Sequence, residues 1–248
     1  MPFNRTVFGL AVVLALAGPA RAEPLSKNCP APEAVSEATV ALPHAARMLR
    51  REGAIRIVAL GSSSTLGSGG SGPAASWPAQ LEASLARRMP QAKVTVINKG
   101  QMRQSVPQML DRIDRDVLAE RPSLVIWEAG TGEAVRGAEV DELIAGLVAG
   151  IDRITAAKTD IMLMDMQYAR DTARIINFEP YVDAVEQAAT MRSVYRFPRY
   201  DIMREWVERE QLTFDGRSKG EAVRTADRVY ACIGKILAEI IARSLQPR

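Results

Sequence analysis

The sequence predicts a three-layer α/β/α sandwich around a central parallel sheet of about five strands. Three observations lead there. Short apolar runs alternate with amphipathic helical segments along most of the chain. The apolar runs are bounded by glycine, serine or proline, as buried strands are. The chain has 248 residues, 47% hydrophobic and 25% charged, which is a globular composition with enough apolar material for a sizeable core.

The elements follow in order. Ile55-Arg-Ile-Val-Ala-Leu60 ends in glycine and serine and reads as the first strand. Trp77-Pro78 opens a helix to about Arg88, with Pro78 in a first turn that tolerates it. Val94 to Ile97 is the second strand. Val106, Met109, Leu110, Ile113 and Val117 recur at helical spacing, and Pro122 lies just beyond. Leu124 to Trp127 is the third strand, and Val140 to Ile151 carries one apolar helix face. Ile161 to Met164 is the fourth strand, Tyr181 to Met191 a helix, and Val194 to Phe197 a short fifth strand. A last helix aligns Val229, Ile233, Ile236, Leu237, Ile240 and Ile241. Parallel sheets of this kind place ligand sites in the loops at the carboxyl ends of the strands.

Residues 1–22 read as a secretory signal. Arg5 supplies the positive start, Val7 to Ala17 an apolar run of 11 residues, and Ala20-Arg21-Ala22 a small-x-small cleavage site. The remainder, 23–248, is expected to be one domain in a secreted, periplasmic protein. No other stretch is apolar enough to span a bilayer, so no membrane span is expected after cleavage. Without the signal, which holds Arg5 and Arg21 and no acid, the net charge falls from +3 to +1. Basic and acidic residues are mixed along the chain, and a nucleic-acid partner is not expected. Cys29 and Cys232 either form one disulfide, clipping the N-terminal arm to the last helix, or remain two thiols. With one histidine, His44, the chain lacks the ligands of a multi-histidine zinc site. No cofactor is expected, and the loop after the first strand is not a P-loop, since no Gly-Lys-Ser/Thr follows at the required spacing.

The first candidate loop is Gly61-Ser62-Ser63-Ser64-Thr65-Leu66-Gly67. A serine on a tight strand-to-helix turn exposes its hydroxyl above the sheet; a polar capping loop is the other reading. Asn98-Lys99-Gly100 ends the second strand, where a glycine N–H suits an oxyanion or a simple turn. Gly130-Thr131-Gly132-Glu133 follows the third.

Together these loops resemble the SGNH (GDSL-type) hydrolases, in block order and spacing over residues 43–245. Gly61-Ser62-Ser63-Ser64-Thr65 resembles the first block, usually Gly-Asp-Ser-x-Thr, with Ser63 at the nucleophile position. Val96-Ile97-Asn98-Lys99-Gly100 resembles the second, with Gly100 at the oxyanion position. Val125 to Thr131 resembles the approach to the Gly-x-Asn block, and Tyr230-Ala231-Cys232 the start of the closing helix. The resemblance implies an ester hydrolase ancestry and a small-molecule ester or carbohydrate as ligand.

The departures are severe. Gly132 stands where the family has its oxyanion asparagine. The closing Asp-x-x-His falls on Glu221 and Arg224 in one register, or on Asp215 and Ser218 in another, and neither yields a histidine. His44 precedes the first strand and is expected at the wrong end of the sheet. In a serine protease, loss of the histidine costs about 10⁶ in kcat. Loss of an oxyanion donor costs about 10²–10³. Arg224 is always protonated and offers only donors, so it suits an anion rather than a proton. Lys99 and Lys219 are the lysines near these blocks, and either would need burial to act as a base. The expected function is therefore binding of an acyl ester or carbohydrate in the old cleft, through Ser62, Ser63, Gly100, Gly132, Glu221 and Arg224. Two alternatives stand beside it: an active serine esterase or deacetylase using Ser63 with an unusual base, and a non-catalytic accessory protein of the envelope.

Overall fold

The computed structural model describes residues 29–211 and 218–246. Five strands form one parallel sheet in the order β2-β1-β3-β4-β5. They are β1 Ala54–Gly61, β2 Lys93–Gly100, β3 Leu124–Glu128, β4 Asp160–Met164 and β5 Tyr195–Phe197. The helices are α1 Glu33–Ser36, α2 Pro43–Glu52, α3 Ser63–Leu66, α4 Trp77–Arg88, α5 Val106–Leu110 and α6 Thr131–Arg136. They continue with α7 Val140–Ala156, α8 Arg170–Ala173, α9 Glu179–Met191, α10 Arg199–Glu208 and α11 Lys219–Leu245. This is the three-layer α/β/α arrangement the sequence predicts.

Strand periodicity builds the two cores. Successive side chains point to opposite faces, so Ile57 and Ala59 join Leu124, Ile126, Met162 and Phe197 on one side. Residues of α2, α4, α10 and α11 cover that side. Val58 and Leu60 join Val125, Trp127 and Leu163 on the other, under α5, α7 and α9. Both faces are buried, which is why the strands read as continuous apolar runs.

The expected helix from Val106 to Val117 is not continuous. It is α5, then a π turn over Ile113–Val117 and a 3₁₀ turn over Leu118–Glu120. Between them Arg112 turns inward, 4% exposed, and donates to the carbonyls of Gly61 and Lys99. The apolar spacing is kept while the backbone hydrogen-bond pattern breaks at Arg112. The last helix begins at Lys219 instead of near Tyr230. Ser218 caps it, its Oγ accepting from the Glu221 N–H at 3.3 Å and donating to the Glu221 carboxylate at 3.0 Å.

The N-terminal arm is tied down at several points. Cys29 and Cys232 form a disulfide. The Trp206 indole N–H donates to the Pro30 carbonyl at 2.6 Å, and the Val40 N–H to Ser244 Oγ at 2.8 Å. Among the described residues no helix is long and apolar enough to cross a membrane. The expected signal at 1–22 and the alternative Asp215 position lie outside the described residues.

Candidate functional site

Strand β1 lies between β2 and β3, so the chain leaves it first to one side and then returns to the other. Such a switch point opens a crevice beyond the carboxyl ends of the strands. A cleft of about 460 Å³ lies there, lined by Ser62, Ser63, Ser64 and Arg103 on one wall. Glu128, Thr131, Gly132, Val135, Arg136 and Gln167 complete it.

The serine turn is held from beneath by Glu128, the last residue of β3. Its Oε2 accepts from the Ser62 N–H at 3.1 Å and from the Thr65 hydroxyl at 2.8 Å. The Thr131 hydroxyl donates to its Oε1 at 3.4 Å. Glu128 is buried, 1% exposed. Gly61 is required at this approach, because a Cβ there would lie 2.8 Å from Glu128 Oε2 and 2.1 Å from Thr65 Oγ1.

The segment after β2 folds over the same turn. The Arg103 N–H donates to Ser63 Oγ at 2.9 Å, and the Gln104 N–H to Ser62 Oγ at 3.0 Å. Arg103 sits at φ 57°, a left-handed conformation that non-glycine residues adopt at a cost. Arg136 bridges the walls, donating to the carbonyls of Gly132 at 2.8 Å and Arg103 at 2.7 Å. Behind Ser64 lies Arg199, fully buried, donating from Nη1 to Ser64 Oγ at 2.8 Å and from Nη2 to Gln167 Oε1 at 3.3 Å.

Each residue singled out in the sequence can now be placed. Ser62, Ser63 and Gly132 share the cleft. Gly100 is not among the lining residues: its N–H donates to Asn98 Oδ1 at 2.9 Å, and a Cβ there would come within 2.2 Å of the Leu66 nitrogen. Glu221 and Arg224 do not line the cleft; Glu221 serves the cap of α11, and Arg224 is exposed on that helix. The backbone N–H of His44 bonds to Asp160, the first residue of β4. Asp160 is level with Leu124 and Ile57 across the sheet, so Ser63 lies at the opposite end. The strand from Ile57 to Gly61 alone spans about 13 Å, beyond the reach of an imidazole. Lys99 pairs with Glu120 at 2.8 Å, and Lys219 is exposed at the start of α11.

Sequence reasoning missed Glu128, Arg103 and Arg199. Glu128 left one signal, a carboxylate ending the apolar run Leu-Val-Ile-Trp. The other two left none, because their place depends on which loops meet. Glu133 is also buried nearby, and burial pushes its carboxyl above the usual range although the Val106 N–H donates to it. Burial likewise raises Tyr230, whose hydroxyl donates to the Ser68 carbonyl at 2.6 Å and fixes the Gly/Ser-rich loop to α11.

Chemically, the cleft offers hydroxyls, guanidinium groups and one carboxylate that already accepts three hydrogen bonds. The hydrogen bond described at Ser63 Oγ comes from a donor. The family model of the non-GDSL lipase-like family matches residues 28–247.

The chain belongs to the non-GDSL lipase-like family.

Solved structures of similar fold include a lipase/acylhydrolase from Enterococcus faecalis, 20% identical, with a TM-score of 0.61. That match covers 78% of this chain and 98% of the other. A catalytic mutant of an acetylxylan esterase from Geobacillus stearothermophilus is also 20% identical, with a TM-score of 0.59, covering 77% of this chain and 94% of that one. No curated protein matches the chain. The SGNH-type architecture is thus shared, and in this chain Gly61 to Thr65 form the turn at the cleft.

Proposed function

We propose that this non-GDSL lipase-like protein is a non-hydrolytic binding protein that holds an acyl ester or a carbohydrate in the cleft at Ser63. The observation that carries this reading is the surroundings of Ser63 Oγ. Its described hydrogen bond is accepted from the Arg103 N–H, and the chain's single histidine sits at the other end of the sheet. An attacking serine needs a proton acceptor there. The oxyanion side supports the same reading. The Gly100 N–H is turned to Asn98, and the space where a side chain at Gly132 would begin is taken by the Gln104 carbonyl, 2.5 Å from a Cβ. The ligand class is suggested by the names of the structural relatives, a lipase/acylhydrolase and an acetylxylan esterase. The Cys29–Cys232 disulfide supports the export and oxidising compartment expected from residues 1–22.

A hydrolytic reading has one point in its favour, the Glu128 carboxylate among the residues lining the cleft. The two separate cleanly. Purified protein and Ser63→Ala are expected to turn over p-nitrophenyl acetate at the same background rate, and intact mass is expected to show no fluorophosphonate adduct. Turnover that disappears in Ser63→Ala, with an adduct on Ser63, would overturn the binding reading.

A further inference from the structure

Two guanidinium groups line the cleft and a third lies behind its wall, and none has a carboxylate partner among the described residues. Arg103 and Arg136 are exposed in the lining. Among the described residues, Arg103 makes its hydrogen bonds through its backbone N–H and C=O. Arg136 donates to two carbonyls and forms no ion pair among the described residues, its charge acting at longer range on the buried Glu133 carboxylate. Arg199 is the telling case. Arg112, also buried, pairs with Asp116, and the partly buried Arg196 pairs with Asp165. Arg199 is 0% exposed, pairs with no carboxylate, and its Nε makes no hydrogen bond among the described residues. Its two partners, Ser64 and Gln167, are both cleft residues. A buried cation with no carboxylate in hydrogen-bond contact is costly, and the buried carboxylate on the same serine turn, Glu128, bonds to Ser62 and Thr65 instead of to Arg199. Glu128, the carboxylate among the lining residues, accepts from Ser62, Thr65 and Thr131 and keeps its charge, so three guanidinium groups against one carboxylate leave the cleft net positive.

We propose that the cleft recognises an anionic group, a carboxylate, sulfate or phosphate, carried by its ligand. Arg103 and Arg136 meet the group at the mouth, and the Arg199 charge behind Ser64 draws it inward. Guanidinium suits such oxyanions by its planar array of donors, and a concave wall concentrates the field. Val135, exposed in the same lining, contacts the uncharged remainder. This inference rests on the binding reading and narrows its ligand class.

The test is isothermal titration of the purified full chain with two matched pairs. Hexanoate against 1-hexanol carries the anion on an acyl chain; digalacturonate against galactobiose carries it on a sugar. The anionic member of at least one pair is expected to bind about tenfold or more tightly than its neutral partner. Its affinity is expected to fall as salt rises from about 20 to 300 mM. Arg103→Glu, at an exposed position, is expected to weaken that binding at least about tenfold. Arg50→Glu, exposed on α2, is expected to leave it unchanged. Equal binding of neutral and anionic members, no binding of either anion, or an unchanged affinity in Arg103→Glu would overturn the proposal. Neutral members bound as tightly as the anions, without ester turnover, would sink the anion inference alone. Turnover lost in Ser63→Ala would sink the non-hydrolytic reading and leave the measured anion preference standing.

Discussion

The hydroxyl of Ser63 takes its chemistry from what faces it, and what faces it is a backbone N–H from the loop after β2. The same loop decides Gly132. A Cβ there would sit 2.5 Å from the Gln104 carbonyl and 2.8 Å from Arg136 Nη1. Gly132→Asn therefore cannot reinstall an oxyanion donor without displacing backbone. The variant is expected to gain no p-nitrophenyl acetate turnover and to lose about 1–3 kcal/mol of stability, read from denaturant melts. A turnover rising well above background would show that the loop yields. Ser63, Ser62 and Gly132 were visible in the sequence because short motifs carry their own turn geometry. Arg103 and Arg199 were invisible because their environment comes from segments distant in the chain.

Among the elements, the connection from β2 through α5 to the π turn shapes the site most. Arg112 is its node, reaching Gly61, Lys99 and Gln104, with Asp116 at 3.1 Å. Asp116 is held down to about 2, first by the hydrogen bond from Arg115 and also by that from Arg112. The folded state thus favours the charged carboxylate more than the unfolded chain does. Its stabilisation is complete above the ordinary carboxylate range near pH 4 and is lost as pH falls toward about 2. Asp116→Asn is expected to cost about 1 kcal/mol at pH 7 after solvent screening. It is also expected to flatten the fall in melting temperature between pH 4 and pH 2. A wild-type acid slope retained in the variant would remove Asp116 from that role. The helical pattern through Val117 correctly marked the buried face. It could not show the break at Arg112, because apolar spacing records which side chains face inward and says nothing of backbone hydrogen bonds.

At the scale of the molecule, the disulfide joins the N-terminal arm to α11 across 203 residues of sequence. A covalent link over so long a loop restricts the unfolded chain strongly, typically by about 2–5 kcal/mol in exported domains. Cys232→Ala, or reduction, is expected to lower the melting temperature by roughly 5–15 °C. The Trp206 to Pro30 hydrogen bond should loosen with it, read as a change in tryptophan fluorescence. An unchanged melting temperature would show that packing of α11 alone fixes the arm.

The five strands, their parallel pairing and the serine turn at the end of β1 are legible in the amino-acid sequence alone. Apolar runs, helical periodicity and glycine-bounded turns are local properties that survive without neighbours. The sequence also established that no second histidine exists to replace His44. Only the tertiary structure decided what the cleft presents: Glu128 beneath the turn, the Arg103 N–H on Ser63, and Arg199 buried behind Ser64. Those contacts join β1, β3, the loop after β2 and the start of α10. Which of these ends meet is set by sheet order, and sheet order is fixed by burying both faces at once rather than by any one segment.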